Sequence, residues 1–275
     1  AAAALVAAAA ETPSPLASTL AYLPQSEVQQ LLEDWQPAAA PVHLRGLTHL
    51  ICEAAGEDGW REAVVDAKGA RWSYGRLLRS ARTIALTLRA AGAKEGCFVG
   101  VLMDRGPELV AALLGVLACG AAYVPLDAVY PTNRLEAMLE DSAAVVTVTT
   151  SALKEAKLKS FPCLCVEDLD LTAEDPVDAN AADATERWLG PGLGSANRDA
   201  VAYCLFTSGS TGRPKGVPIT HGSLTNLLQS FLEDCPELRG GHLETLRSAA
   251  SCMFKGSDVL APEAQFKKTN SGGML

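Results

Sequence analysis

Residues 207–216 read Thr-Ser-Gly-Ser-Thr-Gly-Arg-Pro-Lys-Gly. The hydroxyls of Thr207, Ser208, Ser210 and Thr211 offer hydrogen-bond donors, and Lys215 brings a compact positive charge on a flexible stem. Gly209, Gly212 and Gly216 let the backbone turn its N–H groups toward an anion, and such concave N–H arrays bind phosphate oxygens. The chemistry is that of a polyphosphate cradle. A Walker loop is excluded, because that motif ends in Gly-Lys followed by Ser or Thr and opens straight into a helix. Here Lys215 lies between Pro214 and Gly216. Pro214 has no N–H and biases Arg213 toward extended geometry, so no helix starts at that point. No Gly-x-Gly-x-x-Gly spacing marks a dinucleotide site either. A flexible Gly/Ser/Thr linker is the plain alternative, and a Pro-Lys-Gly ending between two apolar segments argues against it.

The elements that must carry this loop alternate in type. An apolar strand spans 97–103, Asp104-Arg105-Gly106 turns, and Pro107 stands at the first position of a helix to about 119. The next strand is 121–126. Pro131 opens a helix to about 140, 143–149 is a β-branched strand, and 161–166 forms one more. Residues 174–197, rich in Ala, Asp, Gly and Pro, read as a long exposed connection. The run 201–206 is the strand entering the loop, and Thr220 caps a helix toward 231. Strands separated by helices predict an α/β fold, a parallel sheet flanked by helices. Ligands of such sheets collect beyond the carboxyl ends of the strands, where residues 207–216 fall.

With the loop quoted, the chain resembles the adenylate-forming (AMP-dependent synthetase/ligase) superfamily: acyl- and aryl-CoA synthetases, luciferases and the adenylation domains of nonribosomal peptide synthetases. The resemblance extends to Leu113-Leu114-Gly115-Val116-Leu117-Ala118-Cys119-Gly120-Ala121-Ala122-Tyr123-Val124-Pro125-Leu126-Asp127 and on through Tyr130-Pro131 to Arg134-Leu135. Trp72-Ser73-Tyr74-Gly75-Arg76-Leu77 and the leader Leu31-Leu32-Glu33-Asp34-Trp35 resemble earlier elements of the peptide-synthetase branch. The likeness divides the chain into an Ala-rich low-complexity leader over 1–21, a segment like an interdomain linker over 22–60, a partial adenylation domain over 61–235 and a divergent tail over 236–275. The fold it implies is the incomplete large N-terminal domain of an adenylate-forming enzyme.

That resemblance implies attack of a carboxylate on the α-phosphate of Mg²⁺-ATP, with pyrophosphate leaving. The loop would hold the β- and γ-phosphates through Thr207, Ser208, Ser210, Thr211 and Lys215, shaped by Gly209, Gly212 and Gly216. The family's principal catalytic lysine lies on a small C-terminal domain that these residues do not include, so the polypeptide as given is expected to be inactive alone. Partners implied are ATP, a carboxylic or amino acid, condensation and carrier domains of a parent polypeptide, and phosphopantetheine on that carrier domain. Phe254-Lys255-Gly256-Ser257 echoes a Phe-Asp-x-Ser element whose aspartate pairs with a substrate's α-ammonium. Lys255 in that place would set like charges together and favour aryl or hydroxy acids; unrelated tail sequence is the alternative reading. The rival functions are an acyl-CoA ligase, a carboxylate reductase's activating domain, and a non-catalytic nucleotide-binding remnant.

Composition sets the outer bounds. A chain of 275 residues, 48% hydrophobic and 20% charged, has the balance of a globular enzyme. Its net charge of −9 argues against nucleic-acid and anionic-membrane partners. Eight cysteines without a small-secreted framework predict buried thiols in a reducing, cytoplasmic setting. The uncharged run 109–126 reaches the lower limit of a membrane span, but Gly120 and Pro125 read as helix, turn and strand. Cys163 and Cys165 alternate on a strand and lack the second pair that zinc needs. His221 follows the loop closely enough in sequence to approach a nucleotide, although a structural role is the expectation. His43, His49 and His242 have no ligating spacing, and no Gly-x-Ser-x-Gly or His-Glu-x-x-His occurs.

Overall fold

The computed structural model describes residues 24–35, 46–57, 59–66, 69–172, 181–194, 197–207 and 214–234. Contacts divide the chain into Ala1–Pro41 and Val42–Leu275. In the first unit, Pro24 precedes helix α1 (Gln25–Gln29), which continues as a π-helical turn over Gln30–Asp34. No residue of either is buried, and Leu32 and Trp35 are exposed.

The second unit begins with α2 (Leu47–Ala55), then an antiparallel hairpin of β1 (Glu62–Val65) and β2 (Arg71–Ser73). Helix α3 (Tyr74–Ala90) starts where Ser73 Oγ accepts the Arg76 N–H at 3.3 Å. From there the expected alternation holds. The order is β3 (Phe98–Leu102), α4 (Pro107–Ala118), β4 (Ala122–Leu126), α5 (Thr132–Ser142), β5 (Val146–Thr149), α6 (Ser151–Lys157) and β6 (Cys163–Cys165). Pro107 is the first residue of α4, as its missing N–H favours. The uncharged run is helix, turn and strand, because Gly120 adopts φ +91° between α4 and β4. Among the described residues no helix is long and apolar enough to cross a membrane.

The chain then forms α7 (Ala184–Leu189), β7 (Val201–Thr207), β8 (Lys215–Thr220) and α8 (His221–Asp234). Among the described residues the main sheet has six strands in the order β6-β5-β3-β4-β7-β8. Every neighbouring pair is parallel except β7 and β8, which are antiparallel. Apolar residues pack on both faces, as a covered parallel sheet requires. On one face Val99, Val101, Tyr123, Val146, Val148 and Tyr203 share a core cluster with residues of α3, α4 and α8. On the other, Leu102, Val124, Leu126 and Cys204 meet Leu135, Met138 and Leu139 of α5.

Two parts of the sequence reading are corrected. Residues 184–189 are not exposed connection but helix α7, with Trp188 and Leu189 each only 1% exposed. Asp183 caps it by accepting the Glu186 N–H at 2.9 Å, and Trp188 Nε1 donates to Gly56 O at 3.0 Å. One burial-worthy tryptophan outweighs a polar, glycine-rich composition. The sheet also gains an antiparallel edge strand, β8, which strand–helix alternation alone did not foresee.

Candidate functional site

The hairpin of β7 and β8 positions the residues singled out in the sequence. Small and apolar residues take β7 through the sheet, with Ala202, Tyr203 and Cys204 buried, and Thr207 emerges exposed at its carboxyl end. Pro214 blocks helix at the return, so the chain re-enters as β8 from Lys215. Thr207 and Lys215 are register partners on the last rung, and Thr207 Oγ1 donates to Lys215 O at 3.4 Å. Both lie at the sheet edge where ligands of doubly wound folds collect. Ser208, Gly209, Ser210, Thr211, Gly212 and Lys255 lie outside the described residues. The segment from Thr207 to Lys215 is therefore a hairpin connection with an exposed hydroxyl and an exposed ammonium at its ends.

Gly216 is the rung below, opposite Phe206. A β-carbon there would fall 2.9 Å from Cys204 Sγ and 3.4 Å from Phe206 Cζ. Burial pushes the Cys204 thiol's pKa up, so it is a neutral packing group. Sequence reasoning credited Gly216 with backbone freedom and missed this contact, since nothing in the chain's order shows what lies over a glycine.

The segment after β4 shares that edge of the sheet. Asp127 Oδ1 accepts the Val129 N–H at 2.9 Å, closing a tight turn. The Arg134 guanidinium stands 4.0 Å from the Tyr130 ring centre, and Lys157 Nζ donates to Tyr130 O at 3.2 Å. Tyr130 and Arg134, two positions of the family-like segment, thus hold one another.

His221 is placed away from the loop. Because β8 runs antiparallel to β7, its six residues carry the chain about 20 Å back toward the amino edge. His221 is 3% exposed; its N–H donates to Ala200 O at 2.9 Å, and its carbonyl accepts Thr225 Oγ1 at 2.9 Å. Its Nδ1 has no hydrogen-bond partner among the described residues, and burial pulls its pKa below the usual imidazole value. The side chain belongs to the core, in keeping with the structural role expected of it. His49 joins α2 to α7, its Nδ1 hydrogen-bonded to Thr185 Oγ1 at 2.6 Å and its Nε2 3.1 Å from Glu53. His43 and His242 lie outside the described residues.

Six cysteines lie among the described residues as free thiols, four of them buried. Cys163 Sγ donates to Phe161 O at 3.2 Å and Cys165 is buried two residues on. No group of three or more His, Cys, Asp or Glu among the described residues could hold a metal ion.

Comparison with known proteins finds a matching family and relatives. The family model described as "AMP-binding enzyme" matches residues 52–256. A component of the linear gramicidin synthase of Brevibacillus parabrevis is 33% identical over 214 residues, covering 78% of this chain and 4% of its own length. The AMB antimetabolite synthetase AmbB of Pseudomonas aeruginosa is 38% identical over 189 residues, 68% of this chain and 14% of its own. Among solved structures, the nonribosomal peptide synthetase FmoA3 superposes in its alpha-methyl-L-serine-AMP-bound form with a TM-score of 0.57 at 30% identity, over 71% of this chain and 20% of that one. Its AMPPNP-bound form gives a TM-score of 0.59. The chain thus spans a small part of the length of the relatives it matches.

Proposed function

Since this chain belongs to the AMP-binding enzyme family, we propose that it contributes the phosphate-binding half of an amino-acid-activating site in a nonribosomal peptide synthetase. One observation carries the reading. The Thr207–Lys215 rung closes a glycine- and hydroxyl-rich connection at the carboxyl end of a parallel sheet, within the matched residues. The reaction is attack of a carboxylate oxygen on the α-phosphorus of ATP, breaking the bond to the bridging oxygen so that pyrophosphate leaves. Lys215 and the hydroxyls of Thr207, Ser208, Ser210 and Thr211 bind the β- and γ-phosphates, where negative charge grows as that bond breaks. Gly209, Gly212 and Gly216 let the backbone approach those oxygens.

Magnesium belongs to the ATP substrate in this scheme. It is held mainly by phosphate oxygens and water, which suits a rung that offers an ammonium and a hydroxyl but no carboxylate. A phosphopantetheine thiol on a carrier domain would take the acyl group as a thioester, with AMP leaving, for use by a condensation domain. The adenylate seen in FmoA3 carries an amino acid, so an α-amino acid is the preferred substrate class, ahead of the aryl or hydroxy acids that Lys255 would favour. Free thiols suit a reducing compartment.

Titration calorimetry of the 275-residue chain with magnesium pyrophosphate tests the loop. Lys215→Ala is expected to weaken binding by roughly tenfold or more, about the value of a charge-assisted contact to phosphate. Equal affinity in wild type and variant would falsify the phosphate role. In a synthetase polypeptide carrying this chain, amino acids should drive exchange of pyrophosphate into ATP, and their hydroxy analogues should not.

A further inference from the structure

Strand β8 is an exposed edge. Lys215, Gly216, Val217 and Pro218 are all exposed, and among the described residues β8's ladder partner is β7 alone. The rungs just below Lys215 are among the contacts that fix it opposite Thr207. There the geometry is specific. Gly216 is the partner of Phe206, and the space its β-carbon would fill is taken by Cys204 Sγ at 2.9 Å, with the Phe206 ring at 3.4 Å. The φ of Gly216 lies outside the left-handed region, so an alanine could adopt the same backbone. Space alone demands glycine here. Cys204 in turn cannot retreat, because it is 5% exposed and sits in the core cluster with Val124, Leu126 and Leu139. A close-packed core transmits a displacement instead of absorbing it.

We propose that Cys204 and Phe206 are positioning residues for the phosphate loop. Their side chains seat on the bare α-carbon of Gly216 and hold β8 in the register that sets Lys215 across from Thr207. The proposal rests on the phosphate-binding reading above. It extends that reading to two core-facing residues that touch no phosphate, and it predicts a defect that can be reversed at a distance. A methyl group at Gly216 should push β8 off β7 and move the Lys215 ammonium. Removing the Cys204 sulfur should then give that methyl room.

The test is a double-mutant cycle on the 275-residue chain with Gly216→Ala, Cys204→Ala and the double variant. Magnesium pyrophosphate binding is read by calorimetry and global stability by thermal melting. Displacement of a charged contact by even an ångström is costly, so Gly216→Ala should weaken binding by roughly tenfold or more. Cys204→Ala alone should weaken binding severalfold, because the sulfur that seats β8 is gone, and the double variant should bind better than Gly216→Ala, because the added methyl then has the room the sulfur vacated. A purely structural role would move the melting temperature without this affinity pattern. In a synthetase polypeptide, the KM for pyrophosphate should rise while that for the amino acid holds. If Gly216→Ala does not fold, Cys204→Val serves, since it presses an added branch into the same gap beside an intact Gly216. Wild-type affinity in Gly216→Ala, or in Cys204→Val when that variant is used, overturns the positioning role and leaves the loop's function standing. So does a double variant no better than Gly216→Ala. A wild-type chain that does not bind pyrophosphate removes the premise and the proposal together.

Discussion

Gly100 and Thr147 are register partners on β3 and β5, beneath helix α5. A β-carbon on Gly100 would lie 2.6 Å from Thr147 Oγ1 and 2.7 Å from Leu139 Cδ2. Gly100→Ala should therefore cost about 1–3 kcal/mol of stability through overpacking, read as a lower urea midpoint with an unchanged slope. Thr149, two residues on, is fully buried, and its hydroxyl has no hydrogen-bond partner among the described residues. An unpaired buried hydroxyl is a liability, so Thr149→Val should be neutral or stabilising by up to about 1 kcal/mol in the same assay. A loss of more than that would show that the hydroxyl has a partner. These are consequences of what meets a side chain across the sheet, as is the fit of Cys204 over Gly216.

At the scale of elements, α7 matters most for the scaffold. It is a six-residue helix, too short to be stable by itself, and it exists because Trp188 is buried and Asp183 caps its start. Around it, Thr48 Oγ1 donates to Gly194 O at 2.9 Å and His49 bonds Thr185, so α2 and the 184–194 segment are tied together. Trp188→Ala should lose about 3–5 kcal/mol and expose the 184–194 backbone to protease before the rest of the unit. Uniform digestion across the chain would contradict this. The Pro107 start and the strand β5 were legible in the sequence because each is a local signal: proline at a helix's first turn and a Val-Thr alternation. Helix α7 was not, since composition describes a segment's average and its fold hung on one residue.

For the whole second unit, the titration of His221 gives a dependence on pH. Its folded pKa is lowered from 6.5 by burial, so the unfolded chain takes up a proton first as pH falls. Its contribution to stability is therefore present above about pH 6.5 and declines below it until the folded pKa is passed, after which it is constant. Denaturant unfolding at pH 7.5 and 5.5 should show a stability difference that His221→Gln reduces. An undiminished difference in the variant would assign the effect to other groups. The sequence by itself determined the family and the parallel part of the sheet, because the loop residues, the Tyr-Val-Pro-Leu-Asp segment and the strand–helix alternation are patterns of neighbours along the chain. Tertiary structure decided the rest. It turned Lys215 back as an edge strand opposite Thr207, carried His221 to the far edge, and laid Cys204 over Gly216. Those are relations between residues on different rungs and elements, fixed by register and packing.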